Sequence, residues 1–74
     1  MKCKVKMLWD PESHSWYTVA DDVLHLVLSS KSFDALIDRV RTAAPEMLEL
    51  NYGYTGDIEL IFEIERQETL HAVS

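Results

Sequence analysis

A single α+β domain of order β-β-β-α-β, with a four-stranded mixed sheet and one helix on one face of it, is the fold this sequence predicts. Three observations carry the prediction. Apolar residues alternate with polar ones in Lys2–Trp9 and again in Asp57–Glu65, the period of a half-buried strand. Between them, Phe33, Leu36, Ile37, Val40, Ala44, Met47 and Leu48 recur at helical spacing, which places one apolar stripe against the sheet. The 74 residues leave room for one domain.

In the first strand Cys3, Val5, Met7 and Trp9 share one face, and Lys2, Lys4, Lys6 and Leu8 share the other. Asp10-Pro11 then brings turn chemistry, an Asx residue before a ring of fixed φ, and Glu12-Ser13-His14-Ser15 completes a polar hairpin loop. Trp16 to Ala20 has the aromatic and β-branched character of a return strand, ended by Asp21-Asp22. Leu26 to Leu28 is too short for a helix and too apolar for a loop, so it reads as a third strand.

Ser32 is a natural N-cap for the helix, and Asp34 in its first turn suits the dipole. Pro45 removes the hydrogen bond to the Arg41 carbonyl, yet the stripe continues in register across it. The expectation is one bent helix, with a short new helix starting at Pro45 as the alternative. Asn51 and Gly53 tolerate left-handed backbone and end it. In the last strand Ile58, Leu60, Phe62 and Ile64 face the core, while Glu59, Ile61, Glu63 and Glu65 face away. Setting this strand beside the first puts a Glu row against a Lys row. A right-handed crossover then makes the pair parallel and the sheet order 3-2-1-4. Residues 1–65 form the domain, and 66–74 read as a poorly ordered tail. The uncovered sheet face carries Lys and Glu together with Leu8, Trp16 and Ile61, which are the candidate residues for an oligomer interface.

With 13 Asp and Glu against 7 Lys and Arg, the formal charge is -6. Such a surface repels nucleic acid and anionic membranes and favours basic partners. At this length hydrophobic burial barely exceeds a conformational entropy cost of about 1.5 kcal/mol per ordered residue, so a homodimer or larger assembly is expected. Cys3 is the only cysteine, which fits a reducing, cytoplasmic setting. No signal peptide is expected, because Lys2, Lys4 and Lys6 break every N-terminal apolar run, and no stretch nears the roughly 20 apolar residues of a membrane span.

Catalytic chemistry is hard to find. His14, His25 and His71 fall in loops or the tail with no second ligand at metal-binding spacing, and Cys3 lies on an inward strand face without a dedicated base. Asp10, Glu12, Asp21 and Asp22 cluster near the hairpin ends, where turn acidity explains them more simply than a divalent cation. Gly53 and Gly56, the only glycines, form no phosphate loop. Tyr52 and Tyr54 flank Gly53, and packing onto the helix end explains them better than ligand stacking. No enzyme, metal or cofactor is expected.

Trp9-Asp10-Pro11-Glu12, the loop to Trp16, Ser30-Lys31-Ser32-Phe33-Asp34 leading into Leu36-Ile37, and Pro45-Glu46-Met47-Leu48-Glu49-Leu50-Asn51 together resemble the bacterial HicB-like antitoxin superfamily. The likeness runs from Lys2 to about Glu65 and points to the stand-alone short branch of uncharacterised function. It implies a sheet similar to a truncated ribonuclease H fold that has lost its active site. The lysines of the first strand agree, since a nuclease needs metal-binding carboxylates there. Leu24-His25 stands where family members usually have a Pro-Gly turn, and no helix-turn-helix or ribbon-helix-helix module is present to bind an operator. The resemblance implies an interaction domain that masks the RNA-binding surface of a small basic toxin ribonuclease. Trp9, Asp10, Glu12, Asp21 and Asp22 are the candidate contacts. The competing expectation is an orphan homo-oligomer with no toxin.

Overall fold

The structure is a computed structural model that describes residues 1–19 and 24–72. Strands β1 (Lys2–Asp10), β2 (Ser15–Val19) and β3 (Ser29–Ser30) precede helix α1 (Phe33–Tyr52), and β4 (Glu59–Glu65) follows it. The sheet order is β3-β2-β1-β4, with β1 antiparallel to β2 and parallel to β4. This is the predicted α+β architecture. Ala20, Asp21 and Asp22, expected to close the second strand, and Val73 and Ser74 of the expected tail lie outside the described residues.

The core forms where the inward face of β1 meets the helix stripe. Cys3, Val5 and Met7 are buried against Leu36, Val40, Ala44 and Leu48, each within a few per cent of complete burial. Phe33, Ile37, Met47, Ile58, Leu60 and Phe62 are half-buried around them. The helix starts at Ser32, which has extended backbone and whose side-chain oxygen accepts the Ala35 N–H, satisfying one of the orphan donors of the first turn. It ends at Gly53, whose φ of 64° is left-handed and whose N–H donates to the Glu49 carbonyl at 2.8 Å. Pro45 sits on the exposed side of one continuous helix, so the alternative of a second helix beginning there does not hold. Losing one backbone bond at the surface is offset by a buried stripe that never changes register.

Two sequence expectations about β2 and β3 are corrected. The third strand is Ser29–Ser30, paired with Tyr17 and Trp16, and not Leu26–Leu28. Over that stretch Thr18 acts as the partner. Its backbone N–H donates to the Leu28 carbonyl at 2.9 Å, its hydroxyl donates to the Leu26 carbonyl at 2.9 Å, and the same oxygen accepts the Leu28 N–H at 2.9 Å. Leu24 and Leu26 thereby reach the core while Val27 points into solvent.

The second correction concerns Trp16, expected on the open face. In the hairpin register Trp9 lies opposite Trp16 and Asp10 opposite Ser15. Directly opposed residues share a face, so Trp16 is buried on the helix side, with its ring 5.0 Å from that of Phe33 in an edge-on contact. Tyr17, opposite Leu8, takes the open-face position instead.

The loop from helix to β4 closes through Tyr54, half-buried against the core, whose hydroxyl donates to the Asp57 carbonyl at 2.5 Å. A Cβ at Gly56 would come within 2.7 Å of that hydroxyl, so a larger residue there would have to push the Tyr54 ring aside. Tyr52 is exposed.

Thr18→Val keeps the shape of the side chain but strips the Leu26 carbonyl and the Leu28 N–H of their partner. A loss of about 1–3 kcal/mol is expected, seen as a fall in melting temperature of roughly 4–8 °C per kcal/mol for a domain of this size. Thermal unfolding followed by circular dichroism checks it, and an unchanged midpoint would show that water replaces the hydroxyl.

Candidate functional site

The β1–β2 hairpin end gathers the residues with most to offer a partner. Its turn is built by Asp10, whose carboxylate accepts the Glu12 N–H at 3.0 Å and the Ser13 hydroxyl at 2.9 Å. The Ser13 and Ser15 hydroxyls are hydrogen-bonded at 2.6 Å. His14 takes a left-handed φ of 51° to bring the chain back into β2. Histidine is among the non-glycine residues that enter this region more readily, and here the imidazole stacks on Trp9 with centroids 6.3 Å apart. Trp9 in turn leans against Trp16 at 5.3 Å. Three aromatic rings, Trp9, Trp16 and Phe33, therefore connect the hairpin to the first residue of the helix.

Arg66 completes the arrangement. Its guanidinium lies 4.3 Å from the centroid of Trp9 and 5.7 Å from that of Trp16, within the range of cation–π attraction. Glu68 also holds it, with Oε1 2.7 Å from one terminal nitrogen. A cleft of about 530 Å³ separates Trp9, Pro11 and His14 from the chain that runs from Arg66 to Leu70. Composition alone places Arg66 in the tail. A usable signal is present in the sequence, because the alternation that puts Phe62 and Ile64 on the helix side also puts residue 66 on the face where Trp9 stands, although Ile64, expected to face the core, is itself exposed.

Of the predicted contacts, the structure brings Trp9, Asp10 and Glu12 together at the hairpin, and Asp21 and Asp22 lie outside the described residues. Glu12 is exposed, whereas the Asp10 carboxylate is engaged in the turn. Of the predicted oligomer residues, Leu8 and Ile61 stand half-buried on the open face, and Trp16 does not. That face also carries Tyr17 and Val19, the lysines of β1 and the glutamates of β4. Lys4 and Glu63 approach to 3.8 Å, and Lys6 and Glu65 to 3.4 Å. Each solvated pair is worth roughly 0.2–1 kcal/mol, so these pairs do more to select register than to hold the sheet.

Among the described residues no group of three or more His, Cys, Asp and Glu side chains is placed to hold a metal ion. No helix among them is long and apolar enough to cross a membrane. Cys3 is part of the core.

A family model described as a domain of unknown function (DUF1902) matches residues 2–73. The crystal structure of a hypothetical protein from the extremely thermophilic bacterium Thermus thermophilus is similar, with a TM-score of 0.76 and 30% sequence identity, covering 95% of this chain and 100% of that one. No curated protein matches the chain.

The Asp10 carboxyl is held below its ordinary value of 3.8, first by the Ser13 hydroxyl and then by the Glu12 N–H. Because the folded state favours the charged form, the turn is fully supported above pH 3.8 and loses that support as pH falls through the lower folded-state value. A carboxyl-carbon NMR titration should place the Asp10 midpoint below 3.8, and Ser13→Ala should move it upward. A midpoint that ignores the Ser13 substitution would assign the effect to another cause.

Proposed function

The chain belongs to the DUF1902 family, and we propose that it is a HicB-like protein-interaction domain that neutralises a small, basic toxin ribonuclease by covering its RNA-binding surface. The observation that carries this reading is the hairpin end. There an aromatic seat holds a guanidinium at 4.3 Å, and the same hairpin turn carries the exposed Glu12, on a chain of net charge -6. A surface that takes an arginine from its own tail is chemically suited to take one from an RNA-binding protein. Inhibition by this route is masking, with binding energy concentrated in a buried aromatic such as Trp9 and with charge setting the rate of encounter. The four-stranded sheet with lysines on β1 supports the same reading, because it pairs a ribonuclease H-like layout with a strand unsuited to metal-dependent cleavage.

A second reading, an orphan homo-oligomer without a toxin, draws support from the open face, where Leu8, Tyr17, Val19 and Ile61 add apolar area to the charged rows. The readings part on experiment. Co-expression with a basic product of the adjacent reading frame should yield a tight complex. Reversing Glu12 and Asp22 to lysine should slow association by about threefold to tenfold at low salt and flatten its salt dependence. Asp10 is left in place because it makes the turn. Stopped-flow association at two salt concentrations measures this. Absence of any complex, or a rate indifferent to both salt and charge reversal, sinks the toxin reading. The orphan reading instead requires self-association in sedimentation equilibrium that Tyr17→Glu weakens.

A further inference from the structure

The two edges of the sheet are unequal. β3 has only two residues, but β4 offers seven, and among the described residues β4 has a strand on one side only. The Glu59 N–H donates to the Met1 carbonyl, toward β1, at 2.8 Å. Backbone groups alternate sides along a strand, so those of Leu60, Phe62 and Ile64 point away from β1 toward the uncovered edge. Side chains alternate as well, which puts Glu59, Ile61, Glu63 and Glu65 in a row on the open face beside that edge, three carboxylates and one apolar side chain. On the other side of β4, β1 displays the kind of strand this row accepts. Lys2 lies opposite Glu59 and Lys6 opposite Glu63, with Lys4 and Lys6 reaching diagonally to Glu63 and Glu65.

We propose that the free edge of β4 is a docking site for an extended segment of a protein partner that carries Lys or Arg at alternate positions. The segment extends the sheet by main-chain hydrogen bonds to Leu60, Phe62 and Ile64 and lays its basic side chains along the glutamate row. A second copy of β4 is a poor occupant. Antiparallel pairing about Phe62 sets Glu59 opposite Glu65, and parallel pairing runs one glutamate row beside another, both of which repel. The row thus blocks pairing between copies, as charged edges do, while matching a basic strand. The proposal rests on the basic-partner reading above only for the source of that strand, not for the chemistry of the edge.

The test uses the full chain and a labelled, blocked hexapeptide alternating lysine with valine, followed by fluorescence anisotropy. Its counterparts are a glutamate-for-lysine peptide and two peptides N-methylated at alternate residues, one in each phase. Saturable binding by the lysine peptide, at least about tenfold weaker for the glutamate peptide, and lost on methylation in one phase but not the other, is the expected result. Ile64→Pro removes one outward donor at an exposed position and spares the bonds to β1, as proline is tolerated on an edge. It should weaken binding at least about tenfold while the far-UV circular dichroism stays unchanged. The Gln variant of Glu59, Glu63 and Glu65 should also weaken it and serves if Ile64→Pro unfolds. Binding that survives methylation in both phases is mere charge attraction and overturns the proposal. A basic toxin that binds Ile64→Pro and wild type alike would overturn edge addition while leaving the toxin reading intact, and an edge-bound peptide without any toxin would do the reverse.

Discussion

The register that sets Trp9 opposite Trp16 is the constraint on which the rest of this structure depends. In a two-sided sheet a shift of one residue moves every side chain of a strand to the other face, so this single alignment sends Trp16 and Thr18 inward and Tyr17 and Val19 outward. The Trp16 ring meets Phe33 at the start of the helix. The aromatic contacts of one hairpin thus help to seat the helix on the sheet and to form the surface on which Arg66 rests. Asp10 secures the alignment at the turn, by accepting from both Glu12 and Ser13 in the few residues between the strands.

From Thr18 the same register organises the next segment. Its inward hydroxyl, buried with the core, serves the Leu26 carbonyl and the Leu28 N–H, while its backbone N–H donates to the Leu28 carbonyl. This lets a stretch with no ladder of its own run extended and bury Leu24 and Leu26. A small domain has few layers of side chains to spare, so satisfying these backbone groups with one threonine allows two more leucines into the core without leaving polar atoms orphaned. No buried side-chain nitrogen or oxygen among the described residues lacks a partner.

Charge is distributed by the same alternation that builds the sheet. Lysines on β1 and glutamates on β4 face one way because their apolar neighbours must face the other, and parallel pairing then brings the rows together. The result is a ladder of opposite charges across the open face, whose glutamate side borders the β4 edge. The hairpin end, by contrast, couples acidity to aromatic area. A basic protein would meet carboxylates at both places, with rings to bury at the hairpin and a backbone to pair with at the edge. That division of roles is the physical basis for reading the domain as an interaction module.

Element type, helix boundaries and strand order were legible in the sequence, because each depends on periodicity or on local chemistry. Alternation marked β1 and β4, a 3.6-residue stripe marked the helix, and Ser32 and Gly53 marked its ends at the residues that cap it. Lys and Glu rows on the two longest strands indicated which would be neighbours. The face of Trp16 and the place of the third strand were decided only by tertiary structure, and so was the aromatic seat of Arg66, although alternation already gave the side on which Arg66 stands. Trp16 belongs to a short strand whose facing depends on the length of the hairpin loop, and an aromatic residue suits either face. Leu26–Leu28 has the composition of a strand, but its backbone is held by the hydroxyl and the N–H of one threonine rather than by a ladder, a substitution that composition does not register. Arg66 reads as solvated tail until Trp9 and Trp16, distant in sequence, are brought beneath it. Short-range patterns determined the elements, and long-range packing determined which surfaces remained available to a partner.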